Sequence, residues 1–128
     1  MVDYSDLHYS KGDEEIADLF WDIGLKRNSA RVLVLLIKDI DLTSREIERA
    51  VDLRQPEVSI ALTDLMKKRW VQVVSQITEN KGRPTKIYRL SRTLDEILDE
   101  IKSSIVGEYE KKFEEIEKVR MMIRRSPS

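Results

Sequence analysis

Thr43-Ser44-Arg45-Glu46-Ile47-Glu48-Arg49-Ala50-Val51-Asp52-Leu53-Arg54-Gln55-Pro56-Glu57-Val58 is the stretch on which the architecture turns. Thr43 and Glu46 stand in capping-box spacing, where hydroxyl and carboxylate each satisfy a backbone amide left open at a helix start. A short helix is expected to end near Ala50. Val51-Asp52-Leu53 then makes a tight turn, with Asp52 suited to the left-handed backbone such turns need. A further helix opens at Arg54-Gln55-Pro56, where proline costs nothing because its missing amide would have had no partner. It continues to about Lys68, with Val58, Ala61, Leu62, Leu65 and Met66 on one side.

Two helices joined by about three residues form a helix-turn-helix unit. Upstream, the spacing of Ile16, Leu19, Phe20 and Ile23 predicts a helix over about Glu14–Leu25, with Asp13 as its cap and Gly24 as its stop. The next helix is expected to start near Asn28 or Ser29. Ala30, Val32, Val34, Leu35, Leu36 and Ile37 make it apolar nearly all round, which places it inside a core. Asp39 to Leu42 reads as a connector. Phe20, Trp21 and Trp70 read as core or interface residues. Downstream, Trp70–Ile77 and Thr85–Leu90 read as strands around the turn residues Asn80-Lys81-Gly82-Arg83-Pro84, giving a β-hairpin with a basic tip.

Thr93 and Glu96 repeat the capping box and open a long helix to about Arg124. Leu94, Leu98, Ile101, Ile105, Tyr109, Phe113, Ile116, Val119 and Ile123 recur about every 3.6 residues, so they form a straight stripe some ~45 Å long. A chain of 128 residues has no core of that length to cover it. A second copy of the same helix is the expected cover, with Leu98, Ile101, Ile105, Tyr109, Phe113, Ile116, Val119 and Ile123 as the interface; for the part near Leu94 to Ile101 the alternative cover is the first helix, through Phe20 and Trp21.

This order is the winged helix-turn-helix layout: mainly α, with a small β-hairpin wing and a long C-terminal dimerisation helix. The expected organisation is a polar tail (1–13), a DNA-binding domain (14–92), the dimerisation helix (93–125) and a short tail (126–128). Ala50 to Ser59 resembles the recognition region of the MarR, ArsR and TrmB regulator families. Lys81 to Leu90 resembles the wing of archaeal TrmB-like regulators, and Ile23-Gly24-Leu25 with Ala30-Arg31-Val32 resembles their first helices. The resemblance spans about residues 14–92 and implies a DNA-binding transcriptional regulator. The sequence departs from the family pattern at Asp52, where such turns usually carry glycine, and at Arg54, where the cap is usually Ser or Thr. Ile60 stands where many relatives have arginine.

If Val58, Ala61, Leu62 and Leu65 are buried, the opposite side of their helix carries Pro56, Ser59, Ile60, Thr63 and Lys67, with Arg54, Gln55 and Glu57 at its start. In a helix-turn-helix those positions face the major groove. Gln pairs with adenine, Glu accepts from cytosine, and an aliphatic side chain packs on thymine methyls. Glu57 has a second reading, as a complement to the helix dipole. At the wing, Gly82 permits a sharp turn and leaves Arg83 at the tip, suited to a narrow minor groove. Lys81 and Lys86 are placed to lie along phosphates.

Charge agrees with this division. The net charge is −1, yet residues 27–92 hold fourteen bases against eight acids, between acidic flanks. A basic centre suits a polyanion. There is no cysteine and one histidine, His8, which removes thiol chemistry and any histidine cage. No nucleophile, metal-ligand set or phosphate loop is visible, so neither an enzyme nor a cofactor is expected. Without an apolar run of ~18 residues or a basic-then-apolar start, the expectation is a cytoplasmic protein with no membrane partner. The partners expected are double-stranded DNA and a second copy of the chain. The main alternative is a winged helix used for protein contacts in a transcription or chromatin assembly, with Ile60 in the docking patch.

Overall fold

A computed structural model of the chain describes residues 8–77 and 85–126. They divide into two compact units, one ending at Arg92 and the other beginning at Thr93. The first unit runs α1 (Lys11–Asp22), α2 (Arg27–Leu36), β1 (Leu42–Thr43), α3 (Ser44–Val51), α4 (Gln55–Lys67), β2 (Val71–Ile77) and β3 (Thr85–Leu90).

α2 is the centre of this unit. Ala30, Val32, Leu33, Val34, Leu35 and Leu36 are all buried, as expected of a helix apolar all round. It starts at Arg27 behind Lys26, which supplies no side-chain cap. Ser29, one of the expected starting residues, is instead buried inside it. α1 begins at Lys11, three residues before the expected Glu14, because the cap is Ser10 and not Asp13. Asp13 N–H donates to Ser10 Oγ at 3.1 Å, and Ser10 N–H donates to Asp13 Oδ2 at 2.8 Å. Asp13 is therefore the carboxylate half of a capping box. Glu14 ties α1 to α2, accepting from Arg31 Nη2 at 2.8 Å and Arg27 Nη2 at 3.3 Å. On α1, Ala17 and Phe20 face inward, whereas Ile16, Leu19 and Ile23 form an exposed row. Trp21 is also exposed, with the Arg27 guanidinium 4.5 Å from its ring centre.

Helix ends in this unit use left-handed residues. Gly24 (φ 116°) ends α1, as its position suggests, and Asp52 (φ 54°) ends α3. Arg69 (φ 64°) ends α4, with Arg69 N–H on the Met66 carbonyl and Trp70 N–H on the Leu65 carbonyl. That pair of bonds is the Schellman arrangement, here without glycine.

β3 lies between β1 and β2 in an antiparallel sheet. The first of these, β1, corrects the reading of Asp39–Leu42 as a plain connector: Leu42 pairs with Tyr88 and Thr43 with Ile87. Arg89 and Asp41 add a two-pronged ion pair at 2.9 and 2.7 Å that braces the same junction. The β2–β3 register slips between Val73 and Ser75, leaving an extra residue that bends the ribbon.

The second unit is α5 (Leu94–Arg125), a single helix of 32 residues capped by Thr93 and Glu96. Ile97 and Ile101 are its buried side chains. From Val106 onward its large apolar residues are exposed: Tyr109, Phe113, Ile116, Val119, Met122 and Ile123 among them. No helix among the described residues is long and apolar enough to cross a membrane.

Candidate nucleic-acid interface

α4 separates its residues as its periodicity requires. Val58, Ala61, Leu62 and Leu65 are buried, while Gln55, Pro56, Ser59, Ile60, Thr63 and Lys67 are exposed. Ile60 is 65% exposed, an unusual position for an isoleucine on a helix that packs its other side into a core. The N-cap Arg54 has no acceptor to offer α4, so only half of a capping box forms. Arg54 N–H donates to Glu57 Oε1 at 3.0 Å. One carboxylate oxygen of Glu57 is thereby engaged in holding the helix start, which favours its dipole role over base reading.

One flank of α4 is held by Asp64. Ser29 Oγ donates to Asp64 Oδ2 at 2.7 Å, and Lys68 Nζ lies 2.9 Å from Oδ1. Burial pushes the Asp64 pKa up, but the bonds from Ser29 and Lys68 outweigh it and hold the carboxyl below its ordinary range. The candidate face of α4 thus belongs to a helix fastened along one flank to α2.

In front, α4 and β3 flank a pocket of about 190 Å³ lined by Ser44, Gln55, Ser59, Leu62, Thr63, Met66, Lys86 and Tyr88. It gathers Gln55, Ser59, Thr63 and Lys86 from the expected set. Ser44 and Tyr88 were not anticipated. Ser44 is the first residue of α3, visible in sequence only as the follower of a cap. Tyr88 is a buried residue of β3, and burial raises its pKa. Arg45 and Arg49 are two exposed cations one turn apart on α3, also absent from the expected set. Arg54 and Lys67 are exposed at the two ends of α4. Lys81, Gly82 and Arg83, the expected wing tip, lie outside the described residues. Among the described residues no cluster of His, Cys, Asp or Glu is arranged to hold a metal.

Helix, helix, helix-turn-helix and a hairpin that closes a three-stranded sheet make this a winged helix-turn-helix domain, followed by a long C-terminal helix. Residues 23–80 match the MarR family. A possible transcriptional regulator from Methanosarcina mazei Go1 shares the fold, with a TM-score of 0.66 and 16% identity over 78% of this chain and 83% of its own. TrmBL2, an archaeal chromatin protein with a novel mode of DNA binding, shares it with a TM-score of 0.69 and 18% identity over 88% of this chain. This chain spans only 40% of TrmBL2. A cysteine-to-serine mutant of MarR from E. coli has a TM-score of 0.52 and 13% identity, over 90% of this chain and 87% of its own. No curated protein sequence matches the chain. The fold is that of MarR-type and TrmB-like winged-helix regulators.

Proposed function

We propose that this protein is a sequence-specific regulator of transcription that binds double-stranded DNA as a homodimer and works in the cytoplasm without enzymatic activity. The observation that carries this reading is the exposed face of α4. Gln55, Ser59, Ile60 and Thr63 lie together on a helix braced along one flank, beside the cation of Lys86. A braced helix with adaptable polar groups and one aliphatic side chain suits the edges of a major groove. TrmBL2, a DNA-binding archaeal chromatin protein, and the Methanosarcina protein, a possible transcriptional regulator, support the same reading by their shared fold.

In this reading residues 14–92 bind DNA, with Arg54, Gln55, Pro56, Glu57, Ser59, Ile60, Thr63 and Lys67 on the helix. Lys81, Gly82, Arg83 and Lys86 contribute from the wing. The helix over 93–125 pairs the subunits. Its exposed row from Tyr109 to Ile123 supports that assignment, since each large apolar side chain removed from water contributes about 1.5–3 kcal/mol. Pairing two weak DNA-binding units also raises affinity through effective concentration.

The exposure of Ile60 also favours a second reading, in which this face docks a protein. One titration separates the two. Labelled duplex DNA from a random-sequence pool is titrated with the intact chain at two salt concentrations. Binding at low salt that weakens steeply as salt rises is expected, because phosphate contacts release counterions. Absence of binding at low salt, or binding indifferent to salt, overturns the DNA reading.

A further inference from the structure

The pocket between α4 and β3 has a composition that base reading does not explain. Its polar lining consists of three aliphatic hydroxyls (Ser44, Ser59, Thr63), one phenol (Tyr88), one amide (Gln55) and one ammonium (Lys86), and it contains no carboxylate. None of these six side chains makes a hydrogen bond or ion pair with another described residue. Elsewhere in the same unit, polar side chains of this kind are engaged: Ser10 with Asp13, Ser29 with Asp64, Thr43 with Glu46, Ser91 with the Arg69 carbonyl. A set of donors left free around one concavity, with a cation and no anion, is complementary to an oxyanion.

Other occupants fit less well. A divalent cation needs anionic or carbonyl oxygens, and the lining offers none from a side-chain carboxylate. An apolar ligand would meet only Leu62 and Met66. The volume of about 190 Å³ is ample for one phosphate group with waters around it. Ser44 adds a second argument. It is the first residue of α3, so the pocket draws a hydroxyl from a third element.

We propose that this pocket seats a backbone phosphate of the bound duplex, held by Lys86 and the hydroxyls of Ser44, Ser59, Thr63 and Tyr88, and that it sets the register of α4 in the groove. The inference rests on the DNA-binding reading above and reassigns two of its residues. Ser59 and Thr63 anchor, whereas Gln55 at the pocket's rim and Ile60 outside it remain to meet bases. The docked phosphate spans α3, α4 and β3, so it fixes the helix-turn-helix and the wing strand on one point of the backbone.

The test uses the intact chain and a site selected from a random-sequence duplex pool. Ser44→Ala and Tyr88→Phe remove one hydroxyl each without changing the apolar body of the fold, which thermal melts of both variants check. Each is expected to weaken the selected site and random duplex alike, by roughly tenfold, as loss of a hydrogen bond to a charged oxygen predicts. In a second arm, single phosphates of the selected site are replaced by neutral methylphosphonates. One position per half-site is expected to weaken the unsubstituted protein strongly and to matter little to the Lys86→Ala variant. In a third arm, inorganic phosphate is titrated against chloride at equal ionic strength and followed by backbone amide NMR. Only weak, unsaturated shifts are expected at the pocket residues.

Intact protein that binds duplex while Ser44→Ala and Tyr88→Phe bind equally well overturns the pocket and leaves DNA binding standing. So does a methylphosphonate profile unchanged by Lys86→Ala. Saturation by inorganic phosphate with undiminished DNA affinity assigns the pocket to a free anion and overturns the backbone source. No duplex binding by the intact protein overturns the function itself.

Discussion

The Ser29 hydroxyl donates to Asp64 Oδ2 across 2.7 Å, joining two residues 35 positions apart and fastening α4 to the central helix α2. Ser29 is 1% exposed and is the one buried polar residue of the described core. Asp64 shares its other oxygen with Lys68 at 2.9 Å. The outward face of α4 is thus oriented by a polar contact on its flank, one turn beyond Ile60.

Breaking that contact has a defined cost. Ser29→Ala removes a donor to an ionised oxygen and is expected to destabilise the fold by about 1.5–3 kcal/mol. The melting temperature should fall by roughly 6–24 °C, since about 1 kcal/mol corresponds to ~4–8 °C in a domain of this size. A differential scanning measurement showing no change would mean that the bond contributes nothing net.

Acid should loosen the first unit. Glu14 is held below its ordinary pKa chiefly by the Arg31 hydrogen bond. For Asp13, burial works against ionisation, but its bonds from Ser10 and Lys38 outweigh it. Asp41 is lowered by Arg89, and Asp64 by Ser29 and Lys68 against its own burial. A depressed folded pKa means that the unfolded chain binds protons first as pH falls. The stability these groups supply is therefore full above the ordinary carboxylate range and is lost as pH falls through their lowered folded values. Urea midpoints measured from neutral pH downward should drop across that window. Glu14→Gln should be less stable at neutral pH and show a shallower drop.

Reading and anchoring should separate by substitution. Gln55→Ala is expected to cost ~1–3 kcal/mol on a selected site and to relax preference there, leaving random duplex little affected. Arg83→Ala and Lys81→Ala should weaken all duplexes and reduce the salt dependence by about one counterion for each phosphate no longer neutralised. Equal effects of Gln55→Ala on selected and random duplex would refute the division.

Pairing through α5 predicts a dimer at micromolar concentration. Phe113 and Ile116 are 61% and 54% exposed in a single chain, so Phe113→Asp with Ile116→Asp leaves the folded core of each copy untouched. Sedimentation should show the intact protein as a dimer and the double variant as a monomer with unchanged helicity. A monomeric intact protein, or a variant that still dimerises, rules out this seam.

What the sequence alone determined is local. Thr43 with Glu46 and Thr93 with Glu96 mark helix starts because both halves of each capping box lie within three residues. Asp52 takes the left-handed turn, and Val58, Ala61, Leu62 and Leu65 turn inward, because cap chemistry and a 3.6-residue period act within a few residues of chain. The same local rules misplaced the start of α1, since Asp13 can serve either as a cap or as the third residue of a box opened by Ser10. Other features depended on what each segment meets. Leu42 and Thr43 became a strand because β3 offered them an open edge, and Arg69 accepted a left-handed backbone so that the chain could leave α4 and enter β2. On α1 two apolar rows were present, and only packing chose to cover Ala17 and Phe20 while leaving Ile16, Leu19 and Ile23 in water. The gathering of Ser44, from α3, and Tyr88, from β3, around the hydroxyls of α4 has no signature in any one segment. Periodicity and capping say which side of an element is apolar and where it begins. Which sides then meet is decided by the competition among all the faces for a single core.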